Sequence, residues 1–458
     1  MTIAVANLST VFDAESLKSD LAGIESVTDP AQVAKLSLDY FHYSPVLERQ
    51  LRDKRADLVL RPANEAEVMR VAAVCAKRRI PLTVRGAGTG NYGQCVPLQG
   101  GIVLDMSKLN QVVWAKPGMV RVQSGAKLMA IDKQTREMGW EVRMAPSTYR
   151  TATMGGFVAG GSGGIGSITY GQLRDRGNIQ ALRVVTVTED PQIIELRGDD
   201  VHQVSHAWGL TGIITELEMP MAPAYPWAEV VVAFAGPFMP AARFCQTLGE
   251  ADGIVKKLIS LHAWPIPSYF APLRSVVPEG SHIALVMVAE SCLEPLQEMV
   301  AQWGGHIVYN KTAQEASKGI MLGEFTWNHT TLHCRSVDPS LTYLQSLFPP
   351  DGELKTLEHM MNHFGEEVML HLEFIRVAGI VRAAGLQIVR FSSEDRLNQI
   401  ICYHQENNVF IANPHTFIIE DGGRQHMDPA QLTFKAQTDP YGLLNPGKMR
   451  TPFATQAS

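Results

Sequence analysis

No uninterrupted apolar run in this 458-residue sequence is long enough to cross a bilayer, and its start, MTIAVANLSTVFDAESLKSD, lacks a basic segment followed by a sustained apolar core. Neither an integral membrane segment nor an export signal is expected, and the expected location is cytoplasmic. Long basic runs are missing too, and a net charge of -6 offers no attractive field to nucleic acid or an anionic membrane surface. The six cysteines, Cys75, Cys95, Cys245, Cys292, Cys334 and Cys402, never come as Cys-x-x-Cys, which argues against a zinc site and a disulfide framework and for reduced, structural thiols. Apolar residues make up 45% of the chain, enough for a large core divided into two or more domains.

Glycine is where the sequence is distinctive. PLTVRGAGTGNYGQCVPLQGG, residues 81–101, carries Arg85 as its sole charge, and Gly88 to Gly93 fit Gly-x-Gly-x-x-Gly. In a nicotinamide-binding unit those glycines open a helix. Here Pro97 and Gly100-Gly101 forbid a long helix, and IVLDM reads as a strand. Upstream, Asn64 to Ile80 has helical apolar spacing with an Asn cap, and PLTV leads into the glycines as a strand. The expected order is strand, helix, strand, glycine loop, strand. A second stretch, APSTYRTATMGGFVAGGSGGIGSITYG (145–171), has Arg150 as its sole charge. Two carboxylate-free stretches rich in Gly, Ser and Thr suit an anion, because bare amides approach closely and no acid repels phosphate. The plainer reading is a pair of tightly turned surface loops.

The sequence resembles the flavoproteins of the vanillyl-alcohol oxidase and p-cresol methylhydroxylase (PCMH) type. The segments that carry the resemblance are LVLRPANEAEVMRVAAVCAKRRIPLTVRGAGTG, IVLDMSKLNQV, MVRVQSGAKLMAIDKQTREMGWEVRMAPST, TMGGFVAGGSGGIGSITYGQLRDRGNIQALRVVT, WGLTGIITELEM and the terminal DPYGLLNPGKM. They cover roughly residues 30–225 and 400–450. The resemblance implies an α+β fold with a two-subdomain FAD-binding domain over 30–227, preceded by a helical extension (1–29). An α+β substrate or cap domain (228–400) follows, and a C-terminal segment (401–458) returns to the flavin domain. It implies that Arg85, Gly86, Ala87, Gly88, Thr89, Gly90 and Asn91 wrap the FAD pyrophosphate. Pro146, Ser147, Thr151, Met154, Gly155, Gly156, Gly160, Gly161, Gly164 and Gly166 would pass along the ribityl chain and isoalloxazine, and Ile213 and Ile214 would border the adenosine. Asn445 and Lys448 would complete the site from the terminal motif. Ser162 falls where a small residue in relatives governs oxygen access to the reduced ring, and serine there leans toward a dehydrogenase.

Two departures matter. Thr89, with Gly and Ser in the second loop, takes the places where relatives with covalent flavin carry His or Cys, so FAD is expected to be noncovalent. The metal-binding His-x-x-His-Gly run of many 2-hydroxy-acid dehydrogenases is missing, the comparable stretch being NPHTFIIEDGG; no metal is expected and a D-lactate or glycolate assignment is put in doubt.

Polar clusters in the cap or near it supply candidates for chemistry. EFTWNHTTLHC places His329 and His333 four apart; LHLEFIRV alternates so that His371, Glu373 and Ile375 share one strand face and Leu372, Phe374 and Arg376 the other. ANPHTFIIEDGG offers His415 and Glu420. His415 or His329 is the expected base, and Arg376 the expected partner of a substrate carboxylate. Each has a structural alternative: a turn for His415, a helix face for the histidine pair, an ion-paired sheet residue for Glu373 or Arg376, and an anchor for Lys448. His42 reads as structural. The function expected is hydride transfer from a small organic donor, an alcohol, a hydroxy acid or similar, to FAD, with oxygen or another acceptor reoxidising it; a homodimer is left open. The alternatives are a catalytically inactive flavin- or ligand-binding protein of the same fold and, ranked lower for its topology, a nicotinamide-dependent dehydrogenase.

Overall fold

Two parallel strand pairings set the frame for the first glycine loop. In the computed structural model, which describes residues 17, 19–161, 163–351, 354–424 and 426–453, β1 (Glu25–Val27) lies antiparallel to β2 (Leu58–Arg61). β3 (Leu82–Arg85) and β2 both run parallel to β4 (Ile102–Asp105), giving the order β1-β2-β4-β3. The intervening helix, Glu65–Arg78, starts where the Asn64 side chain accepts the Glu67 amide, with Glu65 and Glu67 at its positive end and Lys77 and Arg78 at its negative end. It stops at Arg79 in the left-handed region, φ 56°. Its stripe of Val68, Val71, Ala72 and Cys75 packs on Leu60, Leu82 and Leu104. The glycines therefore connect strand to strand, as their flanks dictate, and the helix-opening geometry of a nicotinamide fingerprint is absent from this loop.

A second sheet contains β5 (Val112–Lys116), β6 (Met119–Gln123), β7 (Trp140–Val142), β8 (Ala181–Val185), β9 (Ile193–Arg197) and β10 (Ile213–Pro223). Its main path is β5-β6-β10-β8-β9, with β7 on the far end of β10. On β6, Val120 and Val122 enter the core while Arg121 points outward to Glu195, Glu216 and Glu218 at 3.0, 2.6 and 2.8 Å. The short helix Met154–Gly160, capped by Thr153, carries the second glycine loop onto this sheet.

Eight antiparallel strands form the cap sheet. In chain order the remaining strands are β11 (Trp227–Phe234), β12 (Lys256–His262), β13 (His282–Ala289), β14 (His306–Lys311), β15 (Leu341–Tyr343), β16 (Gln345–Leu347), β17 (Val368–Met369), β18 (His371–Val377), β19 (Ile380–Gly385), β20 (Ile388–Arg390) and β21 (Phe410–Ala412). The cap order is β14-β11-β13-β12-β18-β19-β16-β21, and β15, β20 and β17 make a small separate sheet. Every residue of β11 is buried, since helices and loops cover both of its faces.

The tail returns to the first sheet through DPYGLLNPGKM. Leu82 N–H donates to Leu443 O and Asn445 N–H to Leu82 O, both at 2.8 Å. Asp439, fully buried, accepts the amides of Leu443 and Leu444 and the Lys435 ammonium, each at 2.8 Å, so a charged acid is satisfied inside the fold. Buried Glu141 joins flavin domain to cap, accepting Trp227 Nε1–H at 3.0 Å and Lys257 Nζ–H at 2.8 Å. No helix among the described residues is long and apolar enough to cross a membrane.

Candidate active site

Both glycine loops open onto one cleft of about 730 Å³, closed from the cap by Trp327, Asn328, Gln345, Ile375, Arg382 and Phe410. Cofactor pockets typically measure about 300–1,000 Å³. The loops meet at glycines: a Cβ on Gly86 would fall 2.2 Å from Thr153 Oγ1 and 3.6 Å from Gly156 Cα, and one on Gly155 would fall 2.8 Å from Ser124 O. Gly88, at φ +68°, lies over the Arg85 guanidinium, which donates to Leu38 O, to Ala87 O at 3.3 Å and to Cys95 Sγ at 3.3 Å. Lys448 is fully buried, with its ammonium bonded to Gly93 O. Two cations thus stand beneath bare amides against one buried acid, Asp39. Burial pushes the Asp39 carboxyl above its ordinary value, and burial lowers the Lys448 ammonium. Gln94 Oε1, Ser124 Oγ and the indole nitrogens of Trp208 and Trp327 are buried on cleft-lining residues without a partner among the described residues. Unspent donors and acceptors around a bare cradle backed by cations fit a long polar cofactor with a pyrophosphate.

The residues expected around the cofactor divide into two groups. Gly86 to Asn91, Pro146, Gly155, Gly156, Gly160, Gly161 and Ile214 line the cleft. Arg85, Asn445 and Lys448 instead lie beneath the first loop; Asn445 Nδ2–H donates to Gln94 O and Trp208 O, both at 2.7 Å. Met154 sits in the core of the second sheet and Ile213 in that of the first, Ile214 facing the other way on the same strand. Ser147 is buried off the lining, and Thr151 Oγ1–H closes its own turn on Thr148 O at 3.2 Å. Gly164 and Gly166 let the second loop press on backbone, where a Cβ would come within 2.2 Å of Ala145 O and 1.9 Å of Arg143 O. Ser162 lies outside the described residues.

None of the three residues expected to act in catalysis lines the cleft. His415 is buried behind it, Nδ1 at 2.8 Å from Ser44 Oγ and Nε2 at 2.8 Å from Tyr343 O, and burial pushes its imidazole down to about 4. With both nitrogens engaged it is a packing residue. His329 Nδ1 stands 3.0 Å from Glu324 Oε2, and Glu324 also accepts Arg150 Nε–H at 3.0 Å, a pairing that ties the cap to the second loop. Arg376 points to the other side of β18, where Nε–H donates to Ile168 O at 3.0 Å and Nη2 pairs with Asp252. Alternation already placed it opposite Ile375, and Ile375 faces the cleft.

On the cap side of the cleft the basic group is Arg382, while Arg174 lines the cleft from the second glycine-loop side. Arg382 pairs directly with Ile375 across the β18–β19 hairpin and so shares its face. Its Nε–H and Nη2–H donate to Phe348 O at 2.9 and 2.6 Å, and burial holds its guanidinium below the usual arginine range. Period-two counting through the HLEFIRVAGIVRAAG hairpin could have found it. Trp327 also lines the cleft, at φ 52°, ψ -140°, a backbone state that costs a non-glycine residue roughly 1–3 kcal/mol. Tyr92 was missed too; its hydroxyl donates to Gln345 Oε1 at 2.6 Å and links the first loop to the cap.

The match to known proteins falls on the same cradle: residues 56–196 match the family described as FAD binding domain. Residues 56–196 are an FAD-binding domain. The chain is 29% identical over 182 residues to the glycolate oxidase subunit GlcD of Escherichia coli, covering 38% of this chain and 36% of the relative. It is 31% identical over 182 residues to a D-lactate dehydrogenase of Anaerostipes hadrus, 37% of each chain. With the mitochondrial D-2-hydroxyglutarate dehydrogenase of Bos taurus it shares 28% over 273 residues, 54% of this chain and 48% of that one. These matches span about a third to a half of the relatives' length. A solved alkyldihydroxyacetonephosphate synthase shares the fold, with TM-score 0.71 at 15% identity over 95% of this chain and 84% of that one. The chain thus has a mixed helix-and-sheet fold of the FAD-binding PCMH type, with FAD as cofactor. Among the described residues, no group of three His, Cys, Asp or Glu side chains is placed to hold a metal ion.

Proposed function

We propose that the protein is an FAD-dependent oxidoreductase that oxidises a small hydroxy acid, holding its FAD without a covalent link. One observation carries the substrate class: Arg382, half-buried, is the one cation among the described cap-sheet residues that line the cleft, and it stands beside the apolar Leu347, Ile375, Val377, Ala384 and Phe410. Bound FAD supplies a two-electron acceptor for a donor C–H bond. The chain's part is to hold that bond in place. Phe348 O fixes the Arg382 fork through two of its nitrogens, and Nη1, which has no partner among the described residues, is left to receive a carboxylate. The apolar cap wall excludes water, which strengthens that charge pairing. The hydroxy-acid relatives support the same class, and electrons would leave to oxygen or another acceptor. No described side chain is assigned as the base.

The noncovalent link has a direct test. Thr89 and the described second-loop residues offer no His or Cys for attachment. Acid precipitation of the yellow holoprotein is expected to release the flavin into the supernatant; colour retained in the washed pellet would contradict the proposal. The activity itself is tested by mixing holoprotein with hydroxy acids without oxygen and following the flavin absorbance.

A further inference from the structure

Trp327 occupies a backbone conformation that side chains other than glycine rarely adopt, and a buried cluster holds it there. Its N–H donates to Glu373 Oε1 at 2.7 Å. That oxygen also accepts Ser260 Oγ–H at 2.9 Å and lies 2.9 Å from His371 Nε2. His262 stacks on His371, ring centroids 4.4 Å apart, and reaches Thr330 Oγ1 at 3.2 Å, one turn into the helix Asn328–Val337. Ser260, His262, Thr330, His371 and Glu373 are each 1% exposed or less. None of these cluster residues lines the cleft, yet they fix Trp327, which does. The Trp327 ring reaches the second glycine loop, its edge 3.4 Å from where a Cβ on Gly163 would stand. Its Nε1–H is buried with no partner among the described residues.

An indole held in a costly conformation, with its benzo edge against the cofactor loop and its Nε1–H buried without a partner among the described residues, is arranged for a ligand. We infer that Trp327 is a binding residue of the reaction chamber. Its ring closes the chamber over the second glycine loop, its Nε1–H donates to an oxygen of the bound hydroxy acid, and Glu373 is the positioning residue that holds it. This rests on the hydroxy-acid reading for the identity of the ligand. The acid then lies between two donors from different elements, Arg382 on β19 and Trp327 at the start of the helix, which favours a ligand with oxygens at both ends.

The test uses FAD holoprotein and two measurements: titration with oxalate, read as a perturbation of the flavin spectrum, and anaerobic flavin reduction by a hydroxy-acid panel. Trp327→Phe keeps the aromatic area and removes the donor. Oxalate affinity is expected to fall, and KM for the reducing acid to rise, by about tenfold, with FAD retained and the limiting reduction rate within about threefold. Glu373→Leu should act the same way, and Glu373→Gln, which keeps an accepting oxygen, should stay near wild type. If Glu373→Leu does not fold, Trp327→Phe alone decides. Unchanged oxalate affinity and KM in Trp327→Phe, or loss of FAD from it, overturns the inference. Wild-type protein that no hydroxy acid reduces, yet binds oxalate in a Trp327-dependent way, fails the substrate reading and leaves the inference standing. Wild type inert to both probes overturns both.

Discussion

Gly88→Val is expected to yield a folded protein that retains almost no FAD after gel filtration. At φ +68° a β-branched residue is strained by roughly 1–2 kcal/mol or more. Its Cβ would also stand 2.1 Å from Arg85 Nη2. The guanidinium would have to leave Leu38 O and Cys95 Sγ, or the loop backbone would have to lift off it, and either change separates the positive charge from the amides it backs. Gly139→Ala is the control: Gly139 has φ +80° but nothing within 4 Å of its added Cβ, so backbone strain is introduced away from the cradle and FAD should stay bound. Full flavin occupancy in folded Gly88→Val would mean that the pyrophosphate does not lie on this loop.

Arg382→Met is expected to lower the efficiency of flavin reduction by a hydroxy acid about 100-fold while leaving FAD content unchanged. A charge-assisted bond in a half-buried site is worth roughly 1.5–3 kcal/mol, and the substrate carboxylate would lose its counter-charge outright. Arg382→Lys should recover only part of this. An ammonium on a flexible stem cannot hold the two bonds to Phe348 O and present a third donor in a fixed plane. Arg376→Met should show the opposite pattern, a loss of stability with normal reduction, because Arg376 fastens β18 to Ile168 O and Asp252 on the far face. Equal kinetics in Arg382→Met and wild type would remove the carboxylate from that position.

What was legible in the sequence was local. Asn64 with its acidic first turn marked a helix start, and Pro97 with Gly100-Gly101 closed off a helix after the first loop. The carboxylate-free composition of both loops pointed to an anion, and both line the same cleft. What was hidden depends on partners far away in the chain. His415 looked like a base beside a proline, but Ser44 and the Tyr343 carbonyl decide its role, and neither contact leaves a trace in ANPHTFIIEDGG. Lys448 and Asn445 were tied to the cofactor through the resemblance; they serve the loop from beneath, a distinction that needs the pairing of Leu444 with Leu82. For Arg376 the needed information was present: alternation put it opposite Ile375, and only the identity of the cleft-facing side was missing. Once Ile375 is seen to face the cleft, register across the hairpin selects Arg382.

The most direct test of the account is anaerobic mixing of the purified holoprotein with a panel of small 2-hydroxy acids while the visible flavin absorbance is followed. At least one acid is expected to bleach the flavin, with saturation that Arg382→Met shifts to far higher concentration. A yellow, FAD-loaded protein that no hydroxy acid bleaches, and that a donor without a carboxylate reduces equally well in wild type and Arg382→Met, would contradict it.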